Sequence, residues 1–381
     1  VDRSRDRRHR LAPDQPREVL TGTTRSLSKL IRHFAIRGLW GFAILLVIEY
    51  LVVPQIAGAR RTLHLLSQAN YYLIPIAILA EALSLYAYAK LTSVVLPTPQ
   101  PSLSALAKVD LSGLAVSHVL PGGTASGAGL TVRLLNSLGV KGTDAGIALA
   151  TQGIGSAVVL NAILWLALII SLPIYGFNSL YLTVAALGIV LMGLVIVLVL
   201  GLTRGNARLA NSIERIVAAL PYLKRFAPSF HRTVVEAGAR VKALGSDRER
   251  LKRALLWASL NWLLDATCLW IMLAAFGSIV DPDLLLVGYG IAMVAAAIPI
   301  TPGGLGVVEG LLIPLLAGFG TPKGIAILGV LSWRLFNFWI PIPVGTAAYV
   351  SLKLSRGEEV TLELDRIDPD DPPDAKGAKG R

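Results

Sequence analysis

Three charged side chains lie inside apolar sequence close to two copies of one helix-breaking motif, Pro121-Gly122-Gly123 and Pro302-Gly303-Gly304; they are Arg133, Glu309 and Arg334. A charge at the centre of a bilayer costs at least about 2.5–3.5 kcal/mol on insertion scales, so each needs a counter-charge or a wet cavity. An ion pair between Glu309 and Arg334 meets that need, and a polar cavity that receives a lipid headgroup is the alternative. Arg133 presents a planar fork suited to phosphate, while its long stem equally reaches the cytoplasmic interface. The breaks are a second source of positive potential. Helices that open at residues 123–126 and 304–307 leave their first N–H groups without partners, which concentrates partial positive charge at those ends. The candidate substrate-binding residues are therefore Gly122, Gly123, Arg133, Gly303, Gly304, Glu309 and Arg334, and the candidate ligand is the phosphate of an anionic lipid. Glu309 pairs either with Arg334 or with a cationic headgroup.

The remaining ionisable residues in apolar sequence are Glu49, Glu81, Asp110, His118 and Asp265. Glu49, Glu81 and Asp265 read as packed polar groups, and His118 as a hydrogen-bonding residue at a helix end, with proton carriage its alternative. No Ser/His/Asp order, metal-ligand cluster or phosphate loop is evident, so no catalytic residue, metal or cofactor is expected. A single cysteine, Cys268, excludes an intrachain disulfide and a Cys-rich metal site.

The elements that position these residues follow from hydrophobicity. With 54% hydrophobic and 16% charged residues in 381, the chain is an all-α polytopic membrane protein. Six stretches are near the length a bilayer requires: 37–57, 70–94, 145–171, 178–202, 252–276 and 323–352. Regions 103–138 and 284–320 are each divided by their Pro-Gly-Gly into pieces too short to span, and read as broken re-entrant hairpins; two short crossings per region is the alternative. Lipid cannot satisfy the backbone groups a break sets free, so breaks survive only within protein or beside water, and paired breaks in corresponding halves point to a transporter's binding site.

The halves align beyond the motif. A constant offset of 181 residues places Gly129 on Gly310, Leu134 and Leu135 on Leu315 and Leu316, and Gly139 on Gly320, as an internal duplication would. Repeat A covers about 70–171 and repeat B about 252–352. The Arg-rich tail, 1–36, and segment 203–251, which carries two amphipathic basic stripes, belong on the cytoplasmic side by the positive-inside rule. That orientation inverts one repeat relative to the other. Net charge +12 serves topology, and no aromatic-basic motif points to nucleic acid. The tail shows no cleaved signal peptide, and 353–381 has disordered composition.

The run from Ile298 through Pro302-Gly303-Gly304 to Glu309, followed by Ser332-Trp333-Arg334-Leu335-Phe336-Asn337-Phe338-Trp339-Ile340-Pro341, resembles the second signature of the lysylphosphatidylglycerol synthase transmembrane, or flippase-like, family. Leu120-Pro121-Gly122-Gly123 with Arg133 is similar to the first. Two departures stand out: Ala125 and Ser126 occupy places where that signature commonly has glycine and glutamate, and Ala128 aligns with Glu309. Only 29 residues follow position 352, too few for the family's aminoacyl-transferase domain. The resemblance implies a bacterial inner-membrane lipid translocase that moves a phospholipid or polyprenyl-phosphate-type lipid between leaflets, and the charge map places its N- and C-termini in the cytoplasm. Its alternatives are a non-transporting subunit that recruits a lipid-modifying enzyme, and a membrane-embedded lipid-modifying enzyme.

Overall fold

A computed structural model describes residues 69–120, 123–175, 247–297 and 301–355, with four isolated positions between 186 and 193. All of them belong to one unit, Pro54–Val360. The expected span at 37–57, nearly all of that at 178–202, the tail 1–36, the tail 353–381 beyond Ser355, Glu49, Gly122 and nearly all of the basic 203–251 segment lie outside the described residues.

The described residues form helices in an order that occurs twice. The first series is α1 (Ile74–Val95), α2 (Leu103–Val119), α3 (Thr124–Ser137) and α4 (Gly142–Tyr175). The second is α5 (Arg248–Ala275), α6 (Pro282–Ala296), α7 (Val307–Gly318) and α8 (Lys323–Arg334), which runs through a π-helical turn, Leu335–Trp339, into α9 (Pro341–Leu354). Each series is thus a long helix, two short ones parted by a Pro-Gly-Gly break, and a long closing segment. Four stretches among the described residues are long and apolar enough to cross a membrane: Tyr71–Val95, Gly142–Ser171, Arg248–Ala275 and Lys323–Leu354. Helices α2, α3, α6 and α7 have 17, 14, 15 and 12 residues, short of the roughly 20 that a crossing takes.

Local chemistry sets the ends. Asn70 accepts a hydrogen bond from Tyr72 N ahead of α1, Ser102 caps α2 through Ala105 N, and Asp247 caps α5 through Arg250 N. Sides are chosen by the solvent, which here is lipid. On α1, large apolar side chains such as Ile76, Leu79 and Leu83 are exposed, whereas Ala77, Ala80, Ser84 and Ala87 are buried. Small residues let backbones approach, and polar side chains then join the helices: Asn261 of α5 donates to Ser84 Oγ (2.9 Å) and Ser84 donates to the Asn261 carbonyl (2.9 Å). Within the first hairpin, α2 and α3 meet at Gly113 and Gly127, where an added Cβ would collide with Thr131 and with the Gly113 carbonyl.

The two series are clasped crosswise. Helix α2 lies on α9, where Gly345 sits against the Leu111 carbonyl and Ser112 bonds the Gly345 carbonyl at 3.3 Å. Helix α6 lies on α4, where Gly290 faces Leu164. Each hairpin's first helix therefore packs against the closing segment of the other series.

Candidate functional site

Around the second break the backbone leaves the α region. Thr301 is extended, Pro302–Gly304 forms a single 3-10 turn, and Gly303, Gly304 and Gly306 have φ of +54°, +71° and +81°. Only glycine takes such values without strain. At Gly303 a second requirement applies, since a Cβ would run into the rings of Phe338 and His118.

Helix α7 starts at Val307, so Glu309 stands in its first turn. One carboxylate oxygen, Oε2, accepts from Gly306 N at 2.6 Å, and the other is paired with Arg334 Nε. Arg334 Nη2 also donates to the Gly303 carbonyl at 3.2 Å. The guanidinium lies 4.7 Å from the Phe338 ring centre and 5.8 Å from that of Trp333. Glu309 is 7% exposed and Arg334 1%, so the pair is closed off. A buried pair persists only when its remaining donors and acceptors are also satisfied, which the Gly306 N–H and Gly303 carbonyl supply. The helix end expected to attract an anion at 304–307 is already occupied by the chain's own carboxylate.

The first break comes to the same place. Gly123, with φ +49°, precedes α3 with no side-chain cap, and a Cβ built on it would lie 3.8 Å from the Thr301 carbonyl oxygen and 3.9 Å from Gly303 N. His118, in the last turn of α2, donates from Nδ1 to the Phe338 carbonyl at 2.9 Å and stacks on the Phe338 ring with centroids 4.3 Å apart. Phe338 belongs to the π turn, where Ile340 N bonds the Leu335 carbonyl and where Pro341 and Pro343 bring no N–H to the turn before them.

Of the expected site residues, Gly123, Gly303, Glu309 and Arg334 thus meet at one joint, with Gly304 buried in the same turn. Arg133 does not join them: it is exposed on α3, ten residues beyond Gly123, or about 15 Å along a helix axis. Its guanidinium therefore adds nothing to the charge at the joint.

Sequence reasoning passed over a second polar centre. Asp265, expected to be packed, accepts from Tyr289 Oη (2.6 Å), Trp333 Nε1 (2.6 Å) and Asn337 Nδ2 (3.0 Å), and so ties α5 to α6, α8 and the π turn. Glu81 of α1 touches it. The available signal was the i, i+4 spacing of Trp333 and Asn337, which puts two donors on one helix face on either side of Arg334. Farther along α1, Thr92 donates to Asp110 at 2.8 Å and receives Gln152 Nε2 at 3.0 Å. Among the described residues no group of three or more His, Cys, Asp or Glu side chains is placed to hold a metal.

The doubled hairpin and the paired Glu309–Arg334 signature agree with a family model for the lysylphosphatidylglycerol synthase TM region, which matches residues 38–345. The chain belongs to this family. Within it, an Escherichia coli inner membrane protein, YbhN, is 30% identical over 138 residues, 36% of this chain and 41% of that protein. A UPF0104 membrane protein of Methanothermobacter thermautotrophicus is 29% identical over 107 residues, 28% of this chain and 31% of that one. The UPF0104 membrane protein PH1989 of Pyrococcus horikoshii is 24% identical over 312 residues, 76% of this chain and 90% of its own length. The first two similarities thus span less than half of each relative. The family and the apolar spans together make the chain an integral membrane protein.

Proposed function

We propose that this protein moves a phospholipid or polyprenyl-phosphate-type lipid between the leaflets of the cytoplasmic membrane, its headgroup passing the joint of the two breaks. The observation that carries the reading is the meeting of Gly123 with Thr301 and Gly303 beside the buried Glu309–Arg334 pair. Irregular backbone at membrane depth costs free energy unless a cavity or protein surrounds it, and two such sites brought together from opposite halves suit alternating exposure of one site. In this conformation Arg334 is neutralised by Glu309, which also fills the α7 end. The open α3 end at Thr124, which is exposed, is then the first donor group a phosphate would meet. The cytoplasmic-membrane location accords with the name of the Escherichia coli relative. Both termini are assigned to the cytoplasm on charge alone.

One observation favours the non-transporting alternative: a closed pair, 7% and 1% exposed, is also what a scaffold would hold. Reconstitution separates the two. Purified protein in vesicles that carry fluorescent phosphatidylglycerol, phosphatidylethanolamine or a polyprenyl phosphate should render the inner-leaflet probe accessible to an impermeant quencher faster than empty vesicles do. Equal rates for every headgroup, with the protein shown to be folded, would leave the scaffold.

A further inference from the structure

We propose that Glu81 and Asp265 form a proton-binding site that holds one exchangeable proton, and that its occupancy positions the end of α8 and the π turn after it, which carry Trp333, Arg334 and Asn337. The site itself is independent of the translocase reading; the link from proton to lipid movement rests on it.

Both carboxyls are buried, Glu81 at 5% and Asp265 at 3% exposed, and they come from α1 and α5, which pack along their lengths. Asp265 takes three hydrogen bonds, from Tyr289, Trp333 and Asn337, and every donor is neutral. Glu81 lies beside Asp265, Asn337 and Cys268, and its Oε2 has no hydrogen-bond partner. Among the described residues no basic side chain pairs with either acid. Arg334, next to Trp333 in the chain, is engaged by Glu309 and the Gly303 carbonyl. The titratable groups that face the pair are Tyr289 from α6 and Cys268 from α5, both uncharged when protonated.

Two carboxyls in contact, buried and with no cation beside them among the described residues, cannot both be ionised, and they can hydrogen-bond to each other only through a proton. The donors divide the roles. Three hydrogen bonds stabilise the anionic form of Asp265, while Glu81 has an oxygen that nothing satisfies until an O–H bond forms on the carboxyl. A small metal ion is disfavoured at this place, because the Tyr289, Trp333 and Asn337 hydrogens all point their positive ends at the Asp265 oxygens.

Loss of the proton, passed to water, would leave two negative charges sharing one set of donors, and those donors would have to rearrange. Two of them lie on either side of Arg334: Trp333 at the end of α8, and Asn337 in the turn that follows it, whose Phe338 carbonyl holds His118. That turn is π-helical, a wider and less stable winding whose register can shift. Proton occupancy of the Glu81–Asp265 pair and closure of the joint are thereby carried by one segment of backbone.

Infrared difference spectra of the full chain in phosphatidylglycerol–phosphatidylethanolamine vesicles, taken between alkaline and acidic buffer, test the site directly. Wild type should show a protonated-carboxyl C=O band that shifts in D2O; Glu81→Gln should lose it, and Glu81→Asp should retain it. Asp110 contributes the same background to all three. An unchanged band in Glu81→Gln, or no such band in wild type, would overturn the proposal. Should Glu81→Gln fail to insert, Asp265→Asn replaces it, and an unaltered band there counts equally against the site. Added sodium at fixed pH should leave the band in place, and its loss would transfer the site to a metal ion. In a second arm, lipid movement by wild type should respond to an imposed pH gradient and that of Glu81→Gln should not. Movement in wild type that ignores the gradient removes the link and leaves the translocase. No movement at all removes the translocase and the link together, and the infrared bands alone then decide the proton site.

Discussion

The two breaks share a tripeptide and differ in the residues just beyond it. At the second, two further residues, Leu305 and Gly306, delay the helix so that Glu309 arrives in its first turn, where it covers Gly306 N and holds Arg334. At the first, α3 starts immediately after Gly123, its third residue is Ser126, and no side chain caps it. Ala128, which aligns with Glu309 by simple offset, lies past the capping position. Both breaks end on a glycine with positive φ, Gly123 and Gly304, while the charge chemistry lies at one of them. A doubled motif need not make a symmetric site: one half offers a helix start without a side-chain cap, and the other offers a guanidinium already matched to a carboxylate.

The largest effect that could break this comparison is removal of half of the matched pair. Glu309→Leu or Arg334→Leu leaves a buried uncompensated charge and should cost about 3–5 kcal/mol, whereas the double replacement should recover most of that loss in thermal unfolding of the purified protein. If the double variant also recovers lipid movement, the pair is structural and the first break is the half that meets lipid. Unrecovered movement with recovered stability keeps Arg334 in the binding site.

Next in size is an alanine at each break. Gly303→Ala meets both a left-handed φ of +54° and the rings of His118 and Phe338, and should destabilise by roughly 2–5 kcal/mol, adding strain to overpacking. Gly123→Ala has φ +49° but its nearest contacts are at 3.8 Å, so only strain of about 1–3 kcal/mol should appear. Equal losses in unfolding midpoints would mean that the first break is packed more tightly than its geometry indicates.

A smaller change falls on the bridge between the breaks. His118→Phe keeps the stack on Phe338 but removes the Nδ1 bond to its carbonyl, and should cost about 1 kcal/mol, readable as a modest fall in unfolding temperature. Smallest of all, Arg133→Gln at an exposed position should leave stability within about 0.5 kcal/mol. If Arg133 recruits phosphate at the periphery, the same variant should slow movement of anionic lipids and spare zwitterionic ones, a sharper signature than any change in melting.

Much of this was legible in the residues. The four described spans announce themselves as apolar runs, and the breaks as Pro-Gly-Gly, because lipid leaves few ways to place either. The Glu309–Arg334 pair was legible as one of two options, since intramembrane charges must be compensated. The hub at Asp265 was not. Its donors lie 24, 68 and 72 residues away, and nothing local distinguishes a tyrosine or tryptophan that serves a buried carboxylate from one that faces lipid. Nor was the π turn readable at 335–339, where a single apolar span over 323–352 was expected, because its winding depends on contacts with α2 and α5. The capping role of Glu309 was likewise hidden, as it depends on where a glycine-rich turn lets the helix begin.

The crosswise clasp has a consequence for synthesis. One face of helix α2 is covered by α9, which begins 222 residues after α2 ends. At ordinary elongation rates of about 5–20 residues per second, the first hairpin waits roughly 10–45 s in the membrane with that face uncovered. During that interval its uncapped break and small-residue surface are open to any other helix in the bilayer, so the insertion machinery has to shelter the first series until α9 is made.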